Sequence, residues 1–274
     1  MKQLRNIILG LTMAMQMVLS FEIEPFQEGE PLLETFSTNC FQMTQSQQIL
    51  KAYMLLGFKG QFLGNRELLD KAIPIYDDRM HKVRAYFYKR LDGEEEAKKA
   101  FDEALILWDE SKIMLQTAPT KENAQKIKKN FLLMINKLLA GTQPLATPEL
   151  ELISLTGKLC RKPLELTIDY LLKAWGIEIE HYADNCSKTI KNYHENLKIL
   201  SQDKLNNDES RRLLKEAKKG FMFIEMMHNS KTKFIPFLFS KKADANFLII
   251  RQVKREFKKQ ANLMGKPALD DDKM

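Results

Sequence analysis

The side chains able to do chemistry in this 274-residue sequence are dispersed rather than gathered. Its histidines, His81, His181, His194 and His228, include no i, i+4 pair, the spacing that puts two imidazoles on one helical face for a metal. They read as surface or capping residues, although His81 and His194 would correspond if the chain repeats, and could then meet across a pseudo-two-fold axis. Cys40, Cys160 and Cys186 match neither a zinc spacing nor a haem attachment site. Either two of them bridge and leave one thiol, or, the reading favoured here, all three are buried apolar fillers. No Gly-x-Ser-x-Gly elbow, P-loop or Gly-x-Gly-x-x-Gly run occurs. Asp77-Asp78 and the run Glu94–Glu96 lie on helices whose opposite face is apolar, which makes them solvated charge. The expectation is a protein that is not an enzyme and carries no metal or cofactor.

One further cluster is Lys231-Thr-Lys-Phe-Ile-Pro-Phe-Leu-Phe-Ser-Lys-Lys242, in which Phe234, Phe237, Leu238 and Phe239 lie between lysines. It could dock a partner or touch a membrane surface. It could equally fold back and plug the end of a helical bundle.

The elements that must position these residues are helices. Only 11 Gly and 9 Pro occur, too few for a chain built on hairpins, while hydrophobic residues make up 44% and charged residues 29%. The net charge of +7 is spread along the chain without the concentrated basic footprint of a nucleic-acid binder, and no nucleic-acid partner is expected. Lys2 and Arg5, then an apolar run from Ile7 to Leu19, then Val18 and Ser20 at the −3 and −1 positions of a cut before Phe21, form a secretory signal over residues 1–20. Periplasmic export is therefore expected, or, if the segment stays uncut, an inner-membrane anchor that would be the chain's one membrane contact.

From Pro31 onward helical periods follow one another. The first covers about Pro31–Lys59, and the second carries Leu69, Ile73, Tyr76, Met80, Val83 and Phe87 at steps of four and three, the spacing of a bundle seam. A third runs from Asp92 to about Leu115, and a fourth from Thr120 to Gly141. Residues 142–148, with two prolines, form a linker, and four more helices follow at about Glu149–Ala174, Ile177–Ser201, Asp208–His228 and Asp244–Leu263, before a disordered tail over 264–274. Short links imply up-and-down packing, so the fold class is all-α, with antiparallel four-helix bundles at 31–141 and 149–263.

The second half also looks like a copy of the first. Gln48-Ile-Leu-Lys-Ala-Tyr53-Met-Leu-Leu-Gly-Phe58 lies over Glu165-Leu-Thr-Ile-Asp-Tyr170-Leu-Leu-Lys-Ala-Trp175 at one offset, with the tyrosine, two apolar residues, a small residue and an aromatic in register. Within these helices Cys40-Phe-Gln-Met-Thr-Gln-Ser-Gln-Gln-Ile-Leu-Lys-Ala-Tyr53 resembles the opening helix of the sensor domain of type IV pilus chemotaxis transducers, the PilJ type, whose relatives include the periplasmic bundles of nitrate/nitrite sensor kinases. Gln42, Ser46 and Gln47 fit that motif, as do Leu155-Thr-Gly157-Lys158 in the second half and the Trp108-x-x-x-Lys112 stretch. The family's second arginine falls on Met43 and Cys160, with Arg161 one position late, which counts against a nitrate site of the family's own type.

The resemblance implies a small anion or metabolite held by converging donors between first helices, a geometry that a tandem repeat reproduces within one chain. The donors would be Asn39, Gln42, Gln47, Lys158 and Arg161. The bland alternative makes them polar residues of amphipathic helices. The expected function is a periplasmic, non-enzymatic sensor or ligand-binding protein that reports through a protein partner in the cell envelope. The alternative is an interaction or scaffold bundle without a small-molecule ligand.

Overall fold

The structure is a computed structural model that describes residues 32–58, 64–229 and 235–263. The signal segment, the tail 264–274 and Phe234 lie outside the described residues. Among the described residues there are eight α-helices and no strand. They are α1 (Leu32–Gly57), α2 (Gly64–Tyr88), α3 (Glu95–Leu115), α4 (Lys121–Thr142), α5 (Pro148–Ala174), α6 (Tyr182–Gln202), α7 (Asp208–Asn229) and α8 (Pro236–Leu263). No helix among them is long and apolar enough to cross a membrane.

Local chemistry sets the boundaries. The Thr120 hydroxyl accepts from the Asn123 amide to cap α4, and Thr147 does the same for Leu150 with Pro148 at the first position of α5. The proline-rich linker becomes one turn of 3-10 helix, Gln143–Leu145, between these helices. Two boundaries differ from the sequence reading. The sixth helix starts at Tyr182 rather than Ile177, because Gly176 at φ 73° and His181 at φ 51° are left-handed and break the preceding turn. The eighth starts at Pro236 rather than Asp244, since a proline that ends one pattern can also open the next as a first helical residue.

The seam on α2 is entirely inside: Leu69, Ile73, Tyr76, Met80, Val83 and Phe87 are all buried. α1 packs on α2 and α4, and α3 on α2 and α4; α5 packs on α6 and α8, and α7 on α6 and α8. These contacts close two rings that α1 against α5 joins, and of the two apolar clusters the larger runs across the join, taking in Leu150, Ile153, Ile168, Leu171 and Leu172 of α5.

The α1–α5 contact is parallel and in register. Cys40 meets Gly157, Met43 meets Arg161 at a separation of 118 residues, and Phe58 packs at a tilt against Trp175 with centroids 5.6 Å apart. A constant offset along both helices is what parallel neighbours require, and it matches, to within one residue, the offset at which the two sequence segments align. Close approach depends on glycine. A Cβ on Gly157 would lie 3.1 Å from the Cys40 Cβ, and one on Gly57 would lie 1.6 Å from the Trp175 ring.

α1 therefore has neighbours on every side, and each residue from Gln42 to Leu55 is buried. Its lower end is fixed by the buried Lys51–Asp244 ion pair to α8. Lys128 of α4 pairs with Asp169 of α5 in the corresponding place, with the charges exchanged. In both pairs burial raises the carboxyl pKa and the lysine opposes it. Removing one member of such a pair leaves an uncompensated charge in the interior. Lys51→Met should cost about 3–5 kcal/mol in denaturant unfolding, and Lys51→Met with Asp244→Leu should recover most of that loss.

Candidate functional site

The donor set anticipated on the first and fifth helices is split by the structure. Asn39, Gln42, Gln47 and Arg161 are buried, with Asn39 and Gln42 at 1% and 0% exposure. Lys158 is exposed. Arg161 lies at the α1–α5 crossing, its NH1 3.7 Å from Met43 Sδ and 3.8 Å from the position of a Gly157 Cβ. Asn39 is one turn from Met43 on the same face of α1, and Gln42 precedes Met43 directly.

How the polar side chains of α1 are satisfied differs along its length. Toward its C-terminal half, Ser46 donates to the Met43 carbonyl at 2.8 Å, Gln45 accepts from Arg79 NH1 at 2.6 Å, and Lys51 holds Asp244. Toward its N-terminal half, both polar atoms of Asn39 and both of Gln42 have no hydrogen-bond partner among the described residues. A buried amide left in this state costs about 1–3 kcal/mol per unmet group, so it persists only where something repays it.

α8 brings a residue that sequence reading missed. Lys254 is buried where α8 crosses α1, and its Nζ donates to the Ser37 carbonyl at 3.4 Å. No carboxylate pairs with either Lys254 or Arg161 among the described residues. Desolvation pushes the Lys254 ammonium down from 10.5 to about 8, and Lys258 and Arg251 on the same helix push it the same way. Arg251 lies over the Phe41 ring, 4.9 Å from its centroid, and Lys254 at 5.3 Å. Cys40 and Cys160, both buried at this crossing, feel Lys254 and Arg161 as their nearest charges, yet burial prevails and raises them to about 11 and 12. They are protonated at neutral pH and supply no counter-charge. A signal for Lys254 was present in the sequence: it interrupts an apolar seam, Phe247, Ile250, Lys254, Phe257, where a charge must find a partner.

The junction thus holds three buried cations, Arg161, Arg251 and Lys254, two unpartnered amides and two neutral thiols, all from α1, α5 and α8. That chemistry offers donors to an anion. Several other polar groups singled out in the sequence are engaged. Trp108 and Lys112 both donate to Asp77 at 2.7 Å, which gives that sequence motif a structural task. His194 pairs with Glu225 at 3.0 Å and not with His81. Cys186 is held up to about 12 by burial, and it too is a free thiol, as are Cys40 and Cys160. No group of three metal-ligating side chains occurs among the described residues. An open groove of about 630 Å³ between the start of α3 and the end of α4 is lined by acids and lysines, with Lys137 paired to Glu103.

The aromatic segment before and within α8 also divides. Phe239 is fully buried and stacks on Tyr170 with centroids 4.4 Å apart, whereas Phe237 is half exposed under Lys241 and Leu238 is half-buried. Phe239 is therefore a core residue and not a docking one: its ring fills the space between α5 and α8, and Tyr170 OH accepts from the Ile235 amide beside it at 2.7 Å. Phe239→Ser should lower stability by about 3–5 kcal/mol, as large-to-small changes in a core do. Phe237→Ser should stay within about 0.5 kcal/mol in the same chemical unfolding assay.

Lys254 makes a pH signature. Its folded pKa lies below its unfolded value, so folding is penalised while the group is charged, and the penalty is relieved as pH rises from about 8 to 10.5. Lys254→Met should raise stability near pH 7 by roughly 3 kcal/mol at most. The difference between variant and wild type should shrink toward pH 10 in parallel thermal scans.

Comparison with family models, curated proteins and solved structures finds no match to this chain.

Proposed function

We propose that this protein is a non-enzymatic sensor or ligand-binding module of the cell envelope, built from two tandem four-helix units, that holds a small anion at the α1–α5–α8 junction. The observation that carries this reading is the pair of buried cations, Arg161 and Lys254, without a carboxylate among the described residues and beside amides with no partner. Natural interiors pair their charges and satisfy their amides, and a set that does neither is repaid by a ligand that does. The resemblance to pilus-transducer and nitrate-sensor input domains is supported by the parallel, in-register contact of α1 with α5. In such a module the two first helices face each other, and a ligand between them biases how they lie. Export through the N-terminal segment and a signal passed to a protein partner belong to the same proposal.

Thermal unfolding of the purified protein against nitrate, nitrite, sulfate, phosphate and small carboxylates tests it. A ligand at a hundred times its dissociation constant adds about 2.7 kcal/mol, a shift of several degrees for a chain of this size. Arg161→Ala should abolish the shift, and Lys158→Ala, at an exposed position, should leave it. No shift with any anion, or one indifferent to Arg161, would favour a scaffold bundle without a ligand.

A further inference from the structure

Three sulfur-bearing side chains meet at the α1–α5 crossing, from helices too far apart in sequence for a spacing motif to connect them. Cys40, Met43 and Cys160 are all buried, at 2%, 0% and 5% exposure. Cys40 and Met43 are one turn apart on α1 and share a face. The register that sets Cys40 against Gly157 and Phe58 against Trp175 puts Met43 level with Cys160. Gly157 lets its helix come close to Cys40 and places no side chain between them, since a Cβ there would lie 3.1 Å from the Cys40 Cβ. One guanidinium links the two levels. Arg161 NH1 lies 3.7 Å from Met43 Sδ and 3.8 Å from the same Gly157 Cβ position. The Cys160 thiol also feels Cys40 electrostatically.

Two thiols and a thioether are soft donors, the set that selects Cu(I) over hard cations. Zinc takes four donors, and no group of three from His, Cys, Asp and Glu occurs among the described residues to build such a shell. We infer that Cys40, Met43 and Cys160 form a three-sulfur site for a soft monovalent metal ion, with Cu(I) as its reference occupant. On binding, both S–H bonds break, two sulfur–copper bonds form and two protons leave to solvent, with no change of oxidation state. Met43 Sδ gives a third, neutral bond in exchange for its contact with Arg161.

The charges around the pair favour this product. Lys158 and Arg161 from α5 and Arg251 and Lys254 from α8 all act on one thiol or the other, and all are basic. A bis-thiolate around a monovalent ion carries one net negative charge, which these cations stabilise. Burial keeps the free thiols protonated, at about 11 and 12, but a coordinated thiol is deprotonated outright. Because protons are released, affinity should rise with pH. The bound ion also ties α1 to α5, the helices that join the two rings.

The test is anaerobic titration of the full protein with Cu(I), and in parallel with Ag(I), against a competing chelator. One tightly held equivalent should give thiolate-to-copper absorption in the ultraviolet and release about two protons. X-ray absorption should find sulfur neighbours only. Met43→Leu, which keeps the volume, should remove one sulfur from that shell. Cys40→Ser and Cys160→Ser should each lose the tight equivalent, and Cys186→Ser on α6 should keep it. Nitrogen or oxygen in the wild-type shell would overturn the site, as would a tight equivalent that survives replacement of both Cys40 and Cys160. The wild-type shell is read without any substitution, so a serine variant that fails to fold leaves the test intact. Anion-induced thermal shifts depend on Arg161 and need no thiol, so this site and the anion reading fail separately.

Discussion

A helix with protein on every side has no water to fall back on, and α1 is such a helix. Helices in that position are usually apolar all round, because each polar side chain must be answered by a neighbour. α1 instead buries ten polar side chains among its twenty buried residues. The surrounding helices are in large part an answer to it: α2 brings Arg79 to Gln45, α8 brings Asp244 to Lys51, and α5 brings the glycine that lets the crossing close. Where the answers are complete, α1 is clamped; where they stop, between Thr35 and Gln42, the interior holds unspent hydrogen-bonding capacity.

This division separates the clamped part of α1 from the part whose polar groups are unmet. The C-terminal half of α1 has its ion pair, its Arg79 contact and the Phe58–Trp175 packing, and it fixes the position of α5. The N-terminal half inherits that position, so unmet polar groups there can be held in register by a stable neighbour a few turns away. The cations sit there because α5 and α8 arrive there, antiparallel to each other and both flanking α1, with Lys258 and Glu34 closing the far end.

The fold class was legible because it depends on periodicity. Leu69 to Phe87 keeps its four-and-three spacing whatever the helix packs against, and all six residues are inside. Boundaries were less legible where one residue type has two uses. Pro236 reads as a stop but serves as a start, and Gly176 with His181 ends the continuity that apolar spacing alone suggested. At the junction, Asn39, Gln42 and Arg161 could be named from the helices that carry them, and all three are buried. Lys158, three residues from Arg161, is nonetheless on the exposed side. Lys254 escaped because its importance lies in what faces it from two other helices, which no local spacing encodes. Phe239 shows the limit of local pattern: a run of aromatics between lysines could dock or plug, and only its packing on Tyr170 places that ring in the core.

The exchanged ion pairs have a consequence for how such a chain could arise and persist. Shifting α1 and α4 by the repeat offset carries Lys51 to the neighbour of Asp169 and Lys128 to the neighbour of Asp244. Two copies of the first half clasped in the same manner would bring lysine against lysine, and two copies of the second would bring aspartate against aspartate. Only the mixed pairing is neutral. Like a plug and socket, the two halves are keyed to each other and against themselves. Were the two halves descended from one symmetric dimer, one charge reversal in each would give a chain that closes on its own second half and refuses a stranger's first.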